Sequence, residues 1–574
     1  MFDLIKRQVT FEGMDCYTDQ LLPQYTKAGS MSQMEVSWMS SGKYAKYTVY
    51  YGVATIFIGF IKHGYYLYID KYDLIGFISV LLSYCRFIGY KQINRKLAYY
   101  TSLPNSVGYC LYYFLTSVYL LCYCLVPHFW YRGCLGFGSP PLGVRAGVMA
   151  TALTPFIYVL AGKSNMITLL TGISYEKLNS IHQYVGVASF ILSIIHTIPF
   201  IHQSLVDGGS KYLSENFKTF NYYSGIPPLI LLGWLCIMSK SWFRKHMYEI
   251  FLHCHWIVGI GYFATLWWHI DNLLNMTDYM YGALAFWATQ IIYRILIKTT
   301  FRPNQMFMKS RNAELIKIND TTFLINVLNT KGLSWKPGQH VFLRFKDKKI
   351  LDSHPFSISS TKQLKFIIVQ KNGLTKTISQ QLDDYLKHEK QVYIDGPYGG
   401  VARDPLSFNR MILLCTGSGI TATIPFLLQV SNAIESNQKI ATSSISFTWI
   451  IRHISDLSWF ESELTECKTI LGDLLDINIY IVHPQDQEKH VDNHNLEKLL
   501  PLININYHKP SITRLIESFT PTLLKKNIFV SSGSDSMRYD VSNAVSKLQP
   551  MVFNNDYHQT GIEEIYLHSE AFSW

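Results

Sequence analysis

Apolar runs of about 17 to 21 residues recur through the first 300 positions, near 44–61, 106–126, 144–162, 181–201, 222–238, 250–270 and 279–296. Each is long enough to cross a hydrocarbon layer roughly 30 Å thick. No water satisfies peptide groups there, so runs of this length must fold as helices. An all-α bundle of about seven transmembrane spans is therefore expected. The stretch 72–90 is an eighth candidate, but Asp73, Cys85-Arg86 and Lys91 cut its apolar part short, and it is expected to stay on the cytosolic side. Charge supports a membrane protein: only 16% of residues are Asp, Glu, Lys or Arg, against about 25% in soluble domains. Aromatics make up 15%, and Tyr and Trp favour bilayer interfaces. Membrane lipid is thus the first expected partner.

The 51 Lys and Arg outnumber the 40 Asp and Glu, giving a net charge of +11 without a dense basic block. Such an excess orients membrane loops, and no nucleic-acid partner is expected. Lys62, Lys71, Arg86, Lys91, Arg95 and Lys96 crowd the first loop, Lys163 and Lys177 the third, and Lys240, Arg244, Lys245 and His246 the fifth. Cytoplasmic loops carry such excesses. The N-terminal segment 1–43 is then outside and the C-terminal half inside. The sequon Asn275-Met276-Thr277 falls in the last external loop, and Asn319-Asp320-Thr321 lies on the cytosolic side. Residues 1–43 are polar and lack an apolar core segment, so no cleavable signal peptide is expected. The ten cysteines show neither C-x-x-C nor a zinc spacing, which disfavours a disulfide scaffold, a structural zinc and a c-type haem.

Beyond residue 308 short alternating strands such as Glu314 to Ile318, His340 to Phe345 and Leu364 to Gln370 are separated by Gly/Pro turns, suggesting a small barrel. From about 408, strands alternate with helices: Met411 to Cys415, the apolar run Ala422 to Val430, Ser444 to Arg452, Ile477 to His483 and Asn527 to Ser532. That is the rhythm of a parallel nucleotide-binding sheet. His483 to Leu523 interrupts it with a polar stretch expected to be an inserted loop. The boundaries read 44–300 for the membrane domain, 301–405 for the barrel and 406–574 for the α/β domain.

His182 and His196 lie 14 residues apart on one span, and His255 and His269 lie 14 apart on another. Fourteen helical steps return to within about 40° of the same face and climb about 21 Å. Two such helices facing each other can clamp two metal centres stacked across the membrane, His182 with His255 near the cytosol and His196 with His269 near the exterior. Neutral imidazole is an ordinary axial haem ligand. Four unrelated packing histidines would not repeat the interval on helices running the same way. His253, two residues from His255, falls on the opposite face and reads as packing. His63, His128, His202 and His246 sit at span ends and read as loop histidines.

At these residues the chain resembles a known family. The strings GSPPLGVRAG (138–147), LLTGISYEKLNSIH (169–182) and YEIFLHCHW (248–256) are similar to the fungal ferric/cupric reductases of the NADPH oxidase superfamily, from about residue 85 to the C-terminus. The resemblance implies that His182, His196, His255 and His269 are axial ligands of two b-type haems, and that Arg145 pairs with a haem propionate rather than snorkelling to the interface. His354-Pro355-Phe356-Ser357 with Ser360 resembles the family's FAD motif, flanked by WKPGQHVFLRF (335–345), by Gly373 and Thr375 of GLT, and by DGPYGG (395–400). Gly417, Gly419 and Thr421, in a turn between strand and helix, suit a pyrophosphate on a helix N-terminus.

The resemblance further implies that Arg452 meets the adenosine phosphate of NADPH and that Trp574, the terminal aromatic, covers the flavin ring. The family's Cys-Gly-Pro beside the nicotinamide is replaced by Ser532-Gly533-Ser534, and its paired glycines by Thr416-Gly417. The implied protein is a ferredoxin-reductase-like oxidoreductase on a haem bundle, passing electrons from cytosolic NADPH through FAD and two b-type haems to external ferric or cupric chelates, in the plasma membrane. Dioxygen as acceptor, giving superoxide, is the alternative of like chemistry. A weakened regulatory cytochrome subunit, suggested by Ser532 and Ser534, is the alternative of another class. Self-association as a homo-oligomer is left open by the residues.

Overall fold

The computed structural model describes residues 10–11, 14–15, 41–72, 77–126, 139–299, 309–348, 353–382, 386–483, 498–554 and 561–571. They form two compact units. Described residues of Met1–Ile61, with Lys96–Pro104 and Cys110–Ile291, make the first; Lys62–Arg95, Asn105–Tyr109 and Ile292–Trp574 make the second.

The first unit is helical. Its elements are the start of α1 (Gly42–Tyr72), then α3 (Val107–Leu125), α4 (Pro141–Ala152), α5 (Thr154–Ala161), α6 (Tyr175–Asn216), α7 (Ile226–Met238), α8 (Tyr248–Ile270) and α9 (Thr277–Tyr293). Among the described residues six helices are long and apolar enough to cross a membrane, one fewer than the seven runs expected. The difference is α1. It is helical across 44–61, but Tyr44, Lys46, Tyr47, Tyr50 and Tyr51 dilute its apolar character. The run 144–162 is a broken span: α4 ends at Leu153 and α5 restarts with Pro155 in its first turn, where a missing N–H costs nothing. The run 181–201 lies inside a 42-residue helix whose backbone leaves helical geometry at Gly208 and Gly209. The run 222–238 splits before Pro227-Pro228, leaving a four-residue helix, Phe220–Tyr223, ahead of α7.

All of α4 except Gly147 is buried, so it is the bundle's central helix. Its small residues Gly143, Ala146, Gly147 and Ala150 recur at three- and four-residue steps, letting α6 pack closely along it. The core joins Leu142, Ala146, Met149 and Leu153 to Leu120 and Leu192. Phe114, Ile198, Ile230, Trp256 and Ile257 point outward, as suits helices whose solvent is lipid.

The second unit holds two sheets. The strands β1 (Arg311–Asn319), β2 (Thr322–Val327), β3 (Gln339–Phe345), β4 (His354–Ser357), β5 (Leu364–Val369) and β6 (Lys387–Gly399) pair antiparallel in the order β4-β3-β6-β1-β2-β5. Alternate residues such as Leu315, Phe323, Ile325, Leu343, Phe366 and Ile394 fill its interior. The second sheet is wholly parallel, with order β10-β9-β8-β7-β11-β12: β7 (Arg410–Thr416), β8 (Ser444–Ile451), β9 (Leu475–Ile481), β10 (Asn504–Asn506), β11 (Lys526–Gly533) and β12 (Glu564–Ala571). Its central strands β7, β8 and β11 are buried almost throughout because both faces are covered, whereas β9 and β10 toward one edge are not. Of the inserted stretch 483–523, residues 484–497 lie outside the described residues.

Residues 62–95, inside the expected 44–300 domain, belong to the second unit. Arg86, read from sequence as an ordinary loop charge, is buried. On α2 (Phe77–Tyr90) its Nη2 donates to Glu564 at 2.7 Å. Glu564 also accepts from Arg403, which binds Asp70 of α1 at 2.6 Å, so the ends of α1, α2, the loop after β6 and β12 share one buried network. Ser83 donates to Gln549 at 2.7 Å, and Tyr84 stacks on Phe553 at 3.9 Å. One face of α2 is therefore covered by protein rather than lipid.

Candidate metal and nucleotide sites

The repeated histidine interval becomes a repeated geometry. His182 and His255 face each other with ring centroids 6.2 Å apart and planes at 71°, and His196 and His269 do so at 6.3 Å and 71°. A metal bonded to one nitrogen of each ring at about 2 Å would separate the centroids by about 6 Å. Both pairs have that spacing.

The other nitrogen of every ring is occupied. His182 Nδ1 lies 2.9 Å from the Ile157 carbonyl and His196 Nδ1 2.8 Å from that of Gly143. Carbonyl oxygens only accept, so both Nδ1 atoms carry the proton and both Nε2 lone pairs are free. On α8, His269 Nδ1 meets Ser224 Oγ at 2.9 Å and His255 Nδ1 meets Ser239 Oγ at 3.3 Å. Orientation of this kind by a second hydrogen bond is the usual support of a ligating imidazole.

Glycines shape the space around the rings. Gly186 and Gly259 each follow the inner histidine of their own helix by four residues, on the same face. A Cβ at either would meet nothing within 4 Å, which leaves room beside the inner pair for a flat ligand. At the outer pair the fit is close: a Cβ on Gly147 would stand 2.6 Å from His196 Nδ1, and one on Gly225 3.1 Å from His269 Cε1. The donor set and the room suit two bis-imidazole haem centres. Arg145 is buried, its Nε donating to the Cys124 carbonyl at 3.2 Å, so it does not snorkel. His253 belongs to neither pair, and His128 lies outside the described residues.

In the barrel, β4 carries His354-Pro355-Phe356-Ser357 along the sheet edge, where the absent N–H of Pro355 breaks no ladder. His354 Nε2 is buried without a hydrogen-bond partner among the described residues, an orphan that a polar ligand would satisfy. Ser360 is turned inward: its hydroxyl donates to the Gln363 carbonyl, and its own carbonyl accepts from Trp335 Nε1 at 2.7 Å. Thr375 is engaged in the turn that Gly373 opens, its hydroxyl 2.8 Å from Lys371 N.

In the parallel sheet the order reverses direction between β7 and β11, and open α/β sheets bind ligands at the strand ends of that switch point. The Thr416-Gly417-Ser418-Gly419 turn ends β7, and Ser532-Gly533 ends β11. The two meet there. Ser534 N donates to Thr416 Oγ1 at 3.1 Å, and a Cβ on Gly419 would collide with the Ser532 carbonyl. Gly417 has φ +51°, a backbone that favours glycine, and its carbonyl accepts from Trp449 Nε1 at 2.9 Å. Thr421 Oγ1 donates to the Ser418 carbonyl. Helix α10 (Ile420–Glu435) has no acidic residue in its first turn, so its N-terminal dipole faces this crevice unopposed.

Ser532 is fully buried and its Oγ has no partner among the described residues. Arg452 is exposed just past β8. Near it, burial holds the Asp456 carboxyl above the usual range although backbone N–H groups and the His453 and Arg452 charges oppose this. Trp574 lies outside the described residues, so its expected stacking has no structural counterpart here.

Sequence reasoning passed over Ser224, Ser239, Gly186 and Gly259. The glycines had a signal, four residues after each inner histidine. The serines are remote in sequence from the rings they meet.

Three family models match in order: a ferric reductase like transmembrane component over 146–266, an FAD-binding domain over 307–402 and a ferric reductase NAD binding domain over 408–546. The Ferric/cupric reductase transmembrane component 7 of Saccharomyces cerevisiae is 33% identical, covering 99% of each chain. The Probable cell surface ferric reductase kap2 of Aspergillus oryzae is 29% identical over 61% of this chain and 49% of its own. The Ferric/cupric reductase transmembrane component 1 of Candida albicans is 26% identical over 60% and 43%.

Proposed function

The chain belongs to the fungal ferric/cupric reductase family, and from that premise we propose that it carries electrons from cytosolic NADPH across the plasma membrane to ferric or cupric chelates outside. The observation that carries this reading is the pair of matched histidine couples, 6.2 and 6.3 Å between centroids, with every Nδ1 hydrogen-bonded. When bound, FAD and two b-type haems supply the conversion of a two-electron donor to one-electron delivery.

The chain's residues position these groups. His182 with His255, and His196 with His269, offer opposed Nε2 lone pairs stacked about 21 Å apart along the helices. Arg145 supplies a buried cation for a propionate, with Tyr44 5.7 Å from its guanidinium. The edge strand His354–Ser357 would receive the flavin, together with Gly373 and Thr375 of the turn that follows β5. The turn from Gly417 to Thr421 and Gly533 give close backbone approach for a nicotinamide dinucleotide's phosphates. By the family resemblance Arg452 would meet the adenosine phosphate and Ser532 would take the place beside the nicotinamide. His182 with His255 and His196 with His269 would each hold one haem iron, so the chelate would be reduced by outer-sphere transfer without bonding to it.

The excess of basic residues in the loops read as cytoplasmic supports a cytosolic dehydrogenase half. The test is reduction of a membrane-impermeant ferric chelate by cells expressing the chain, without oxygen, alongside a superoxide probe in air. Ferrous product without oxygen, lost in His196→Ala, is the expected result. Superoxide in air with no anaerobic ferrous product would make dioxygen the acceptor.

A further inference from the structure

Ser224 and Ser239 bracket helix α7 fifteen positions apart, while the histidines they meet on α8 are fourteen apart. The start of α7 reaches His269 and its end reaches His255, so the two helices run antiparallel and one ligand-free helix touches both centres. α7 packs along α8 for this length.

Both hydroxyls have spent their only proton. Ser224 Oγ donates to the Phe220 carbonyl at 2.5 Å, and Ser239 Oγ donates to the Leu235 carbonyl at 2.6 Å. The oxygen each presents to its imidazole is therefore a lone-pair acceptor, and the imidazole Nδ1 must be the donor. The same four-residue back-bond fixes both hydroxyls in direction. Ser224 is wholly buried, so no water competes for its lone pairs.

An imidazole that donates Nδ1–H to a fixed acceptor gains electron density at Nε2, and a metal bound there is stabilised in its oxidised state. For the histidines of α6 the acceptors are backbone carbonyls, which no side-chain substitution removes. For those of α8 they are hydroxyls at the ends of α7, which one substitution does remove. We propose that Ser239 and Ser224 are positioning residues, each setting the reduction potential of one haem: Ser239 the inner, through His255, and Ser224 the outer, through His269. The proposal rests on the reading of the four histidines as ligands. It makes α7 the element that sets the energetic step between the two centres.

The test is an optical redox titration of the purified full-length chain, with its haem, in phosphatidylcholine nanodiscs, with electron paramagnetic resonance of the oxidised state. The wild type gives two low-spin bis-imidazole components. Ser239→Ala raises the midpoint potential of one component, Ser224→Ala raises that of the other, and Ser→Thr at either site returns the native value. Where alanine opens a void and haem is lost, the isosteric variants Ser224→Thr and Ser224→Val give the comparison: threonine holds the native potential and valine raises it. Equal potentials for threonine and valine, or both components moving together in every variant, would overturn the proposal. A wild type lacking two bis-imidazole components would overturn the histidine reading itself, a separate result.

Discussion

In the proposed function a histidine ligates because of which face it occupies, and two neighbours on α8 separate that proposal from mere presence of imidazole. His255 meets His182, and His253 does not. His255→Ala should lower haem content and abolish electron flow across the membrane, while His253→Ala keeps both. Haem quantified per polypeptide decides it, and equal loss in the two variants would remove the face argument. The empty space beside Gly186 gives a second residue-level expectation. Gly186→Leu puts a side chain where a flat ligand would lie, so one of two haems should be lost with the fold intact, read as haem stoichiometry against thermal melting. Retention of both haems would mean that the space serves something else.

At the scale of elements, the buried network of Asp70, Arg403, Glu564 and Arg86 ties the ends of α1 and α2 to β12. Burial raises the Glu564 pKa, but the Arg86 and Arg403 guanidiniums outweigh it and hold the carboxyl down at about 2, below its usual 4.5. A depressed carboxylate pKa adds stability that is complete above pH about 4.5 and is lost as pH falls toward about 2. Glu564→Gln leaves Arg86 buried without its anion and Arg403 with Asp70 alone, and should cost about 3–5 kcal/mol at neutral pH. Melting curves at pH 7 and pH 3 check the sign: the gap between variant and wild type should narrow at the lower pH. A gap independent of pH would contradict the ion-pair account.

The elements themselves were unevenly legible. Spans and strands follow from apolar period and length, local properties that a sequence displays directly. The break at Leu153 was also signalled, by Pro155, but hydropathy averages over a single proline. Glu564 and Arg86 stand 478 residues apart, and Ser224 and His269 stand 45 apart; such pairs exist only once the chain is folded. Hence the histidines of the candidate site could be read from spacing, and the groups that orient them could not.

For the whole molecule, the account is vectorial, with reductant on one side and acceptor on the other. Orientation has its own test in Asn275, at the turn between α8 and α9. If that turn is external, Asn275→Gln should abolish a glycan-dependent gel shift. A shift depending on Asn319 would invert the arrangement.

The most direct test of the central claim is an anaerobic reduced-minus-oxidised haem spectrum of the purified full-length chain supplied with FAD. NADPH should reduce as much haem as dithionite does, and added ferric chelate should then reoxidise it. Haem that dithionite reduces and NADPH leaves oxidised would contradict the account and make the chain a cytochrome without its own reductant.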